Sequence, residues 1–164
     1  MKRIKVRSQA RQSGIRFQGR LRIFEKVGDR LILRRDTGNK IVNTGLNLGL
    51  DFLIGSGSPL GIEYLALGTG TTAAAAANTT LQTETYRETV DTKVRVGQII
   101  TVTTTLGTTE GNGNTFTEAG MFGNGASATP NSGTLITRTT FAGVAKTASN
   151  QFVWEWTISA TSTN

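Results

Sequence analysis

Residues 151–159 have the sequence QFVWEWTIS, and this stretch decides the fold class. Its large apolar residues occupy every second position: Phe152, Trp154, Trp156 and Ile158. Because successive side chains of a β-strand point to opposite faces, the pattern predicts a strand with one aromatic face. Such a face is buried against a second layer of structure. We therefore expect the two tryptophans to lie in a core and not on an exposed sugar-binding platform.

Similar segments precede this strand and are separated by turn-forming residues. We expect further strands at about 62–67, 87–96, 98–106, 115–122 and 134–141, with a turn at Gly97. We expect loops at about 68–85, 107–114 and 123–133. The chain of 164 residues contains 28 Thr and 20 Gly but only 2 Pro, a composition that favours strands joined by turns. The sequence predicts an all-β, antiparallel body with a β-sandwich or jelly-roll-like arrangement.

One short helix is expected ahead of this body. Its apolar residues recur at helical spacing: Leu46, Leu50, Leu53 and Ile54. Asn43 or Thr44 can cap its start, and the Gly-Ser-Pro-rich stretch 55–59 ends it. We therefore predict three parts: a basic N-terminal arm at 1–40, a short helix and linker at 41–60, and a β-sandwich body at 61–164.

The positive charge of the chain is concentrated in its first segment. Twelve of the eighteen basic residues lie in the first 35 positions beside only two acids, Glu25 and Asp29, so this segment has a formal charge of +10. The remainder has a formal charge of −3, and the whole chain +7. A segment of this kind usually contacts something negative: nucleic acid, a lipid surface or an acidic protein face.

Basic and apolar residues alternate along this segment with a period of two, which predicts an extended arm or β-ribbon with one apolar and one basic face. We predict that basic residues of the arm contact an acidic partner: Arg3, Lys5, Arg7, Arg11, Arg16, Arg20 and Arg22. We predict that four apolar residues anchor it in grooves: Ile4, Val6, Ile15 and Phe17.

The strand-like spacing of the arm residues helps to choose among the three kinds of partner. A membrane-surface segment usually has helical spacing, and base recognition usually adds exposed aromatic residues. The arm contains only Phe17 and Phe24, and the first of these lies on its apolar face. Docking on an acidic protein needs only charge, extended backbone and a few apolar anchors, so we favour a protein partner over nucleic acid or a membrane.

The sequence offers little for catalysis. It contains no His and no Cys. The stretch GTGTT at 68–72 lacks the lysine and following helix of a phosphate-binding loop. Six carboxylates of the body could form a glycosidase pair, but no spacing singles out two of them: Glu84, Glu88, Asp91, Glu110, Glu118 and Glu155. We expect surface charges, and one acid paired to arginine or backbone inside a strand. We therefore predict no enzyme, no metal, no cofactor and no small-molecule substrate.

Membrane and export signals are also missing from the sequence. No apolar run approaches the ~20 residues that cross a bilayer. The basic start, Met1 to Arg3, is not followed by an apolar segment. We therefore expect neither a membrane span nor a signal peptide.

Several stretches resemble a group of small β-rich virion proteins of tailed bacteriophages. They are IEYLALGTGTT at 62–72, LQTE at 81–84, FTEAGMF at 116–122, GTLITR at 133–138 and VWEWTI at 153–158. In that group, strands similar to LGTGTT, TEAGLF, GTLLAR and VTWTI follow one another in this order. NTGL at 43–46 resembles the lead-in to the group's helix, so the resemblance spans about residues 41–160.

The resemblance implies a virion structural protein and leaves its place in the virion open. We expect a capsid decoration (cement) protein, assembled as a homotrimer on the outer surface of the capsid. Its arm would bind the major capsid protein and bridge neighbouring subunits. The alternative is a tail-associated protein of the collar, baseplate or fibre base. A carbohydrate- or receptor-binding module, with loops 68–86 and 107–114 as its surface, is a further alternative.

Overall fold

The computed structural model describes residues 14–56 and 61–163, which form nine strands and one helix. In chain order these are β1 (Gly14–Val27), β2 (Arg30–Ile41), α1 (Asn43–Leu53), β3 (Ile62–Gly68), β4 (Glu84–Thr89), β5 (Thr92–Val96), β6 (Ile99–Leu106), β7 (Thr115–Gly123), β8 (Thr134–Ala145) and β9 (Gln151–Thr163). The strands form one sheet in the order β4-β3-β7-β8-β2-β1-β9-β6-β5. Every pairing of neighbours is antiparallel, which confirms the all-β prediction.

The sheet is curled, because its two edge strands are consecutive in the chain. Only Val90 and Asp91 separate β4 from β5. The Val90 N–H donates to the carbonyl of Glu63 in β3 at 3.0 Å, and the Asp91 N–H donates to the carbonyl of Thr103 in β6 at 2.9 Å. This corner joins the two ends of the sheet, and the two halves of the sheet face each other across a shared interior.

The main core fills this interior. Strand β9 contributes Trp154 and Trp156, both fully buried, so the prediction that they are core residues is confirmed. Phe116 of β7 packs edge-on against Trp154, with 6.2 Å between ring centroids. Burial of side chains of this size is the main favourable contribution to folding, at about 1.5–3 kcal/mol for each large apolar side chain.

Strand β1 lies inside the sheet, between β2 and β9. It is paired with β9 from Gly14 to Lys26, and its Leu21 and Ile23 are fully buried in the main core. The described part of the predicted arm, 14–40, therefore shares a sheet and a core with the predicted body. Residues 1–13, which include Arg3, Ile4, Lys5, Val6, Arg7 and Arg11, lie outside the described residues.

Two local predictions are wrong. The single strand expected at 87–96 is two strands in different halves of the sheet, because the backbone turns at Asp91 and its carboxylate accepts the Thr105 N–H at 2.8 Å. The helix is confirmed, but Val42 is its N-cap and no side chain caps it. The Thr44 hydroxyl instead donates to the Leu135 carbonyl at 2.6 Å, which ties the helix start to β8.

Candidate protein-docking surface

Glu118 and Arg138 form a buried ion pair on the outer face of β7 and β8. The side chains are 0% and 2% exposed, and Arg138 donates to Glu118 Oε2 from Nη2 at 2.7 Å and from Nε at 3.0 Å. Both nitrogens donate to one carboxylate oxygen, and hydrogen bonds between ionised groups are stronger than those between neutral groups. The prediction of one strand acid paired to arginine or backbone therefore holds for Glu118, but Glu84 of β4 is a second buried acid of this kind.

The same carboxylate holds the loop 69–83 against the sheet. Glu118 accepts backbone N–H groups from Gly70 at 3.1 Å, Gln82 at 3.0 Å and Thr83 at 2.7 Å. Arg138 also donates from Nη2 to the carbonyl of Thr72 and from Nη1 to the side-chain oxygen of Asn78, both at 3.0 Å. The pair therefore fixes both ends of a loop that has no strand or helix of its own.

The pKa of Glu118 lies below its ordinary value. Burial acts to raise this pKa, but the hydrogen bonds from the Thr83 and Gln82 N–H groups and from Arg138 together outweigh burial. The group is thus ionised when folded, and it serves as an acceptor and counter-ion. A buried carboxylate held in this way is not poised for proton transfer at neutral pH.

Close packing around the pair requires glycine at two positions. A Cβ on Gly68 would lie 2.3 Å from the carbonyl oxygen of Thr83, and one on Gly70 would lie 2.5 Å from Glu118 Oε1. Three of the virion-like stretches, LGTGTT, TEAGMF and GTLITR, therefore meet at one point. The glycines and charged residues of these stretches therefore hold the loop 69–83 against the sheet.

A second buried pair anchors the loop 124–133. Arg87 and Glu84 side chains are 3% and 1% exposed and lie 2.7 Å apart. The guanidinium of Arg87 lies 4.4 Å from the ring centroid of Phe122 and donates to the carbonyl of Ser132 at 3.0 Å. Glu84 also accepts the Asn131 N–H at 2.9 Å. We call this outer surface of β3, β4, β7 and β8, covered by the two loops, the loop-bearing face.

The carboxylates considered for glycosidase chemistry are all engaged within the chain. Glu84 and Glu118 form the two buried ion pairs, and Glu155 pairs with Arg22. The Asp91 carboxylate accepts the Thr105 N–H at the turn between β4 and β5. The other two accept hydroxyl hydrogen bonds: Glu88 from Tyr86 and Glu110 from Thr109, each at 2.5 Å. Burial, followed by the bond to Glu88, raises the pKa of Tyr86. These contacts hold strands and loops.

The described residues of the predicted arm divide into two groups. Arg20 pairs with Asp36 at 2.5 Å, and Arg22 pairs with Glu155, so both have intramolecular partners. Arg16 has no carboxylate partner among the described residues. Ile15 is 70% exposed and Phe17 is 47% exposed, and both lie on the strand face that Leu21 and Ile23 continue into the core.

Exposed apolar residues gather at the end of the sheet that carries Ile15, Phe17 and α1. No residue of α1 is buried. Three residues at its C-terminal end, Phe52, Leu53 and Ile54, are 73%, 75% and 78% exposed. Gly45 allows the helix start to approach β8, since a Cβ there would lie 2.4 Å from the carbonyl oxygen of Ile136. The helix is therefore fixed at its start and presents its apolar residues outward.

Two clefts, each of about 500 Å³, flank α1 at this end. One lies between the helix and β5 and includes Phe52, Lys93 and Arg95 in its lining. The other lies between the helix and β1 and includes Arg16 and Lys40. No Asp or Glu lines either cleft among the described residues. We call the exposed apolar residues of α1 and the N-terminal end of β1, with these two clefts, the α1 end.

Sequence reasoning missed Lys93, Arg95 and Phe52 as candidate binding residues. The alternation of Lys93 and Arg95 with Val94 and Val96 was the available signal, since it indicates a strand with a cationic face. A second signal was the i, i+4 spacing of Leu48 and Phe52, which gives the helix a further apolar side away from Leu46 and Leu50. An apolar surface that has no place in the core and is bordered by cations is typical of an interaction site.

Comparison with models of known families, with curated proteins and with solved structures finds no match to this chain. Within the described residues, no helix is long and apolar enough to cross a membrane. The same residues contain no group of three or more acidic, His or Cys side chains arranged to hold a metal ion.

Proposed function

We propose that this protein is a structural protein of a tailed-phage virion: a capsid decoration (cement) protein that binds the outside of the head. The supporting observation is the meeting of the virion-like stretches around Glu118 and Arg138. These stretches are separated by tens of residues in the chain, yet their glycines and charged residues form one contact network. The resemblance therefore extends to residues that depend on one another in three dimensions.

The distribution of polar groups supports a binding protein over an enzyme. The buried charges are used to hold loops, while the α1 end combines exposed apolar residues with cations that have no carboxylate partner among the described residues. Trp154 and Trp156 are buried and thus not available as a sugar platform, which weighs against a carbohydrate-binding module. The α1 end and the basic residues of segment 1–13 are the two features that fit a protein partner.

The proposed mechanism joins two modest contacts. The α1 end would hold one capsid subunit, and residues 1–13, continuing from the exposed start of β1, would reach a neighbouring subunit. Once one contact forms, the linked segment is confined near its own site, and its effective concentration there rises. Individual ion pairs of the segment would contribute only about 0–1 kcal/mol each, so they mainly steer association and set register. Three copies around a shell axis would form the proposed homotrimer.

The test is binding of the full-length protein to decoration-free capsids and, separately, to purified tails of a phage that carries this sequence. We expect saturable binding to capsids, and particles that withstand heating better once coated. Binding to tails alone would assign the protein to the collar, baseplate or fibre base. Binding to neither structure would end the virion proposal.

The role of the N-terminal segment is tested by charge removal at Lys5 and Arg7 in the full chain. We expect the double change to Gln to slow association with capsids and to weaken its dependence on salt. The matched control is Lys26→Gln with Arg30→Gln, which removes the same charge from exposed positions at the β1–β2 turn. Equal effects of the two double variants would show that only net charge matters.

A further inference from the structure

Strand β5 forms a free edge of the sheet. It is paired with β6 on one side, and the sheet order ends at β5, so no described strand lies on its other side. A free edge presents N–H and C=O groups that can pair with an added strand. The five residues Thr92–Val96 are all exposed.

The cleft beside this edge is apolar. The helix contributes Leu48 and Phe52, and β6 and β9 contribute Ile100 and Ile158. Lys93 Nζ reaches from β5 to the carbonyl of Ile62 in β3 at 2.9 Å, so β5 and β3 approach each other here. An extended chain in this cleft would meet backbone on the β5 side and apolar side chains on the helix side.

The charges of the cleft select the occupant. Lys93 and Arg95 are the register partners of Val102 and Ile100, so they lie on the interior-facing side of β5. Each donates to a backbone carbonyl, of Ile62 and Gly97, and neither forms an ion pair with a described carboxylate. Two cations in an apolar lining, with no carboxylate among its described residues, favour a ligand that has both apolar and negatively charged groups.

We propose that the cleft between α1 and β5 binds an extended acidic segment of a protein partner, which adds a strand to the free edge of β5. This inference rests on the proposed function in one respect, that the partner is a capsid subunit. Apolar side chains of the segment lie against Phe52 and Leu48, and its carboxylates pair with Lys93 and Arg95. Backbone pairing supplies affinity, and the alternate side chains supply specificity.

The positive charge of the cleft also disfavours two other occupants. Residues 1–13 of this chain carry five cations and no acid, so they would bring like charge to the cleft. Pairing of β5 with β5 of a second copy would bring two sets of Lys93 and Arg95 together. Like charges that face each other across strands are destabilising, so both arrangements are disfavoured.

The experiment measures binding of a short fluorescein-labelled peptide to the full-length protein by fluorescence anisotropy. Leucine and aspartate take turns at every second position of this peptide, with serine between them, so that both lie on one face of an added strand. We expect binding that is lost when lysine replaces aspartate in the peptide. We expect Lys93→Gln with Arg95→Gln to weaken binding by roughly tenfold. Phe52 is 73% exposed, and we expect Phe52→Ala to weaken binding by about fivefold or more while changing the urea midpoint little. The matched control, Lys26→Gln with Arg30→Gln, should bind as the unchanged protein does.

Hydrogen exchange provides a second measurement. Strand addition predicts slower exchange of the β5 amides, residues 92–96, in the presence of the peptide. Equal binding by the control and the Lys93/Arg95 variant would overturn the proposal. So would competition by oleate without β5 protection, which would indicate a lipid site.

The outcomes separate this inference from the proposed function. Capsid binding that is unchanged in the Lys93/Arg95 and Phe52 variants would overturn the site and leave the cement role standing. Acidic-peptide binding with β5 protection, but without any capsid binding, would support the site and overturn the cement role.

Discussion

The loop-bearing face and the α1 end lie on the same curled sheet, but they treat their charged and apolar groups in opposite ways. On the loop-bearing face, Glu118 and Glu84 are buried with arginine partners and accept loop N–H groups. At the α1 end, Lys93 and Arg95 have no described carboxylate partner, and Phe52 is 73% exposed. Polar groups of the loop-bearing face thus stabilise the fold, whereas those of the α1 end can contact another molecule.

The physical reason is the cost of burial. A charge taken out of water must be paired and hydrogen-bonded, and the pair on the loop-bearing face meets this condition fully. Cations at the rim of an open cleft remain solvated, so they do not need an ion-pair partner within the protein. They can exchange water for a partner's carboxylate at little cost, which is what an interaction surface needs.

The largest expected effect is the loss of the Glu118 carboxylate. Glu118→Ala leaves Arg138 and three backbone N–H groups without their acceptor, so we expect the free energy of unfolding to fall by about 3–5 kcal/mol. Arg138→Met should cost less, because the carboxylate keeps its backbone donors. Urea unfolding measures both. Glu155→Ala, which breaks a partly exposed pair with Arg22, is the control and should cost about 0–1 kcal/mol.

That comparison fails if the Glu118 and Glu155 variants lose similar stability. Such a result would mean that the buried pair is no more important to folding than a surface pair. A lower stability for Arg138→Met than for Glu118→Ala would show instead that the guanidinium holds the loop.

Glycine substitutions in the two regions should have opposite signs. Gly68→Ala places a Cβ 2.3 Å from the Thr83 carbonyl oxygen, and we expect a loss of about 1–3 kcal/mol from overpacking. Gly49→Ala in α1 meets nothing within 4 Å and should stabilise the protein by about 0.5–1 kcal/mol through helix propensity. Thermal unfolding of both variants checks the signs, and a tolerated Gly68→Ala would argue against tight packing at the loop-bearing face.

Stability should fall in acid, and Glu118 should be responsible for part of the fall. Its pKa is lower in the folded protein than in the unfolded chain, so its contribution is fully present above the ordinary value of 4.5. The contribution is lost as the pH falls through the folded pKa. Urea midpoints measured from neutral pH into acid should therefore depend less on pH in Glu118→Gln.

Asp36 provides the surface comparison for this pH effect. Its pKa is also lowered, chiefly by the hydrogen bond from Arg20, but this pair is exposed to solvent. High salt should remove the contribution of Asp36 to the pH dependence of stability and retain the contribution of Glu118. Screening by salt acts mainly on solvated charges. Equal salt sensitivity in Asp36→Asn and Glu118→Gln would contradict this assignment.

The smallest effect on stability is expected at the α1 end. Phe52→Ser and Leu53→Ser replace residues that are 73% and 75% exposed, so each should change the free energy of unfolding by no more than about 0.5 kcal/mol. Urea unfolding of both variants and of the unchanged protein measures this difference. A large loss of stability in either variant would show that α1 belongs to the core.

Much of the fold could be predicted from local pattern. The alternation in QFVWEWTIS gives the buried tryptophans, and the positions of β3, β6, β7, β8 and α1 follow from similar patterns and from Gly97. The break at Asp91 could not be predicted, because it depends on bonds to Thr103 and Thr105 on another strand. Alternation also does not distinguish a free arm from a sheet strand, so the place of β1 between β2 and β9 was not visible.

The candidate site was less predictable than the fold. Arg16, Ile15 and Phe17 were named from the charge pattern, and the structure leaves them exposed, while Arg20 and Arg22 have acidic partners far away in the chain. The cleft beside β5 depends on how a helix at 43–53 approaches a strand at 92–96. Neither segment alone contains that information.

By itself, the sequence determined the strand-rich class, the short helix, the buried aromatic face and the concentration of charge near its start, because each depends on neighbouring residues. Which charged side chains form ion pairs within the protein depends on the tertiary structure. Glu118 meets Arg138, and Arg22 meets Glu155, through strand pairing across the sheet. Pairing over such separations depends on sheet order and register, and for that reason the cations left over at the α1 end became visible only in the folded chain.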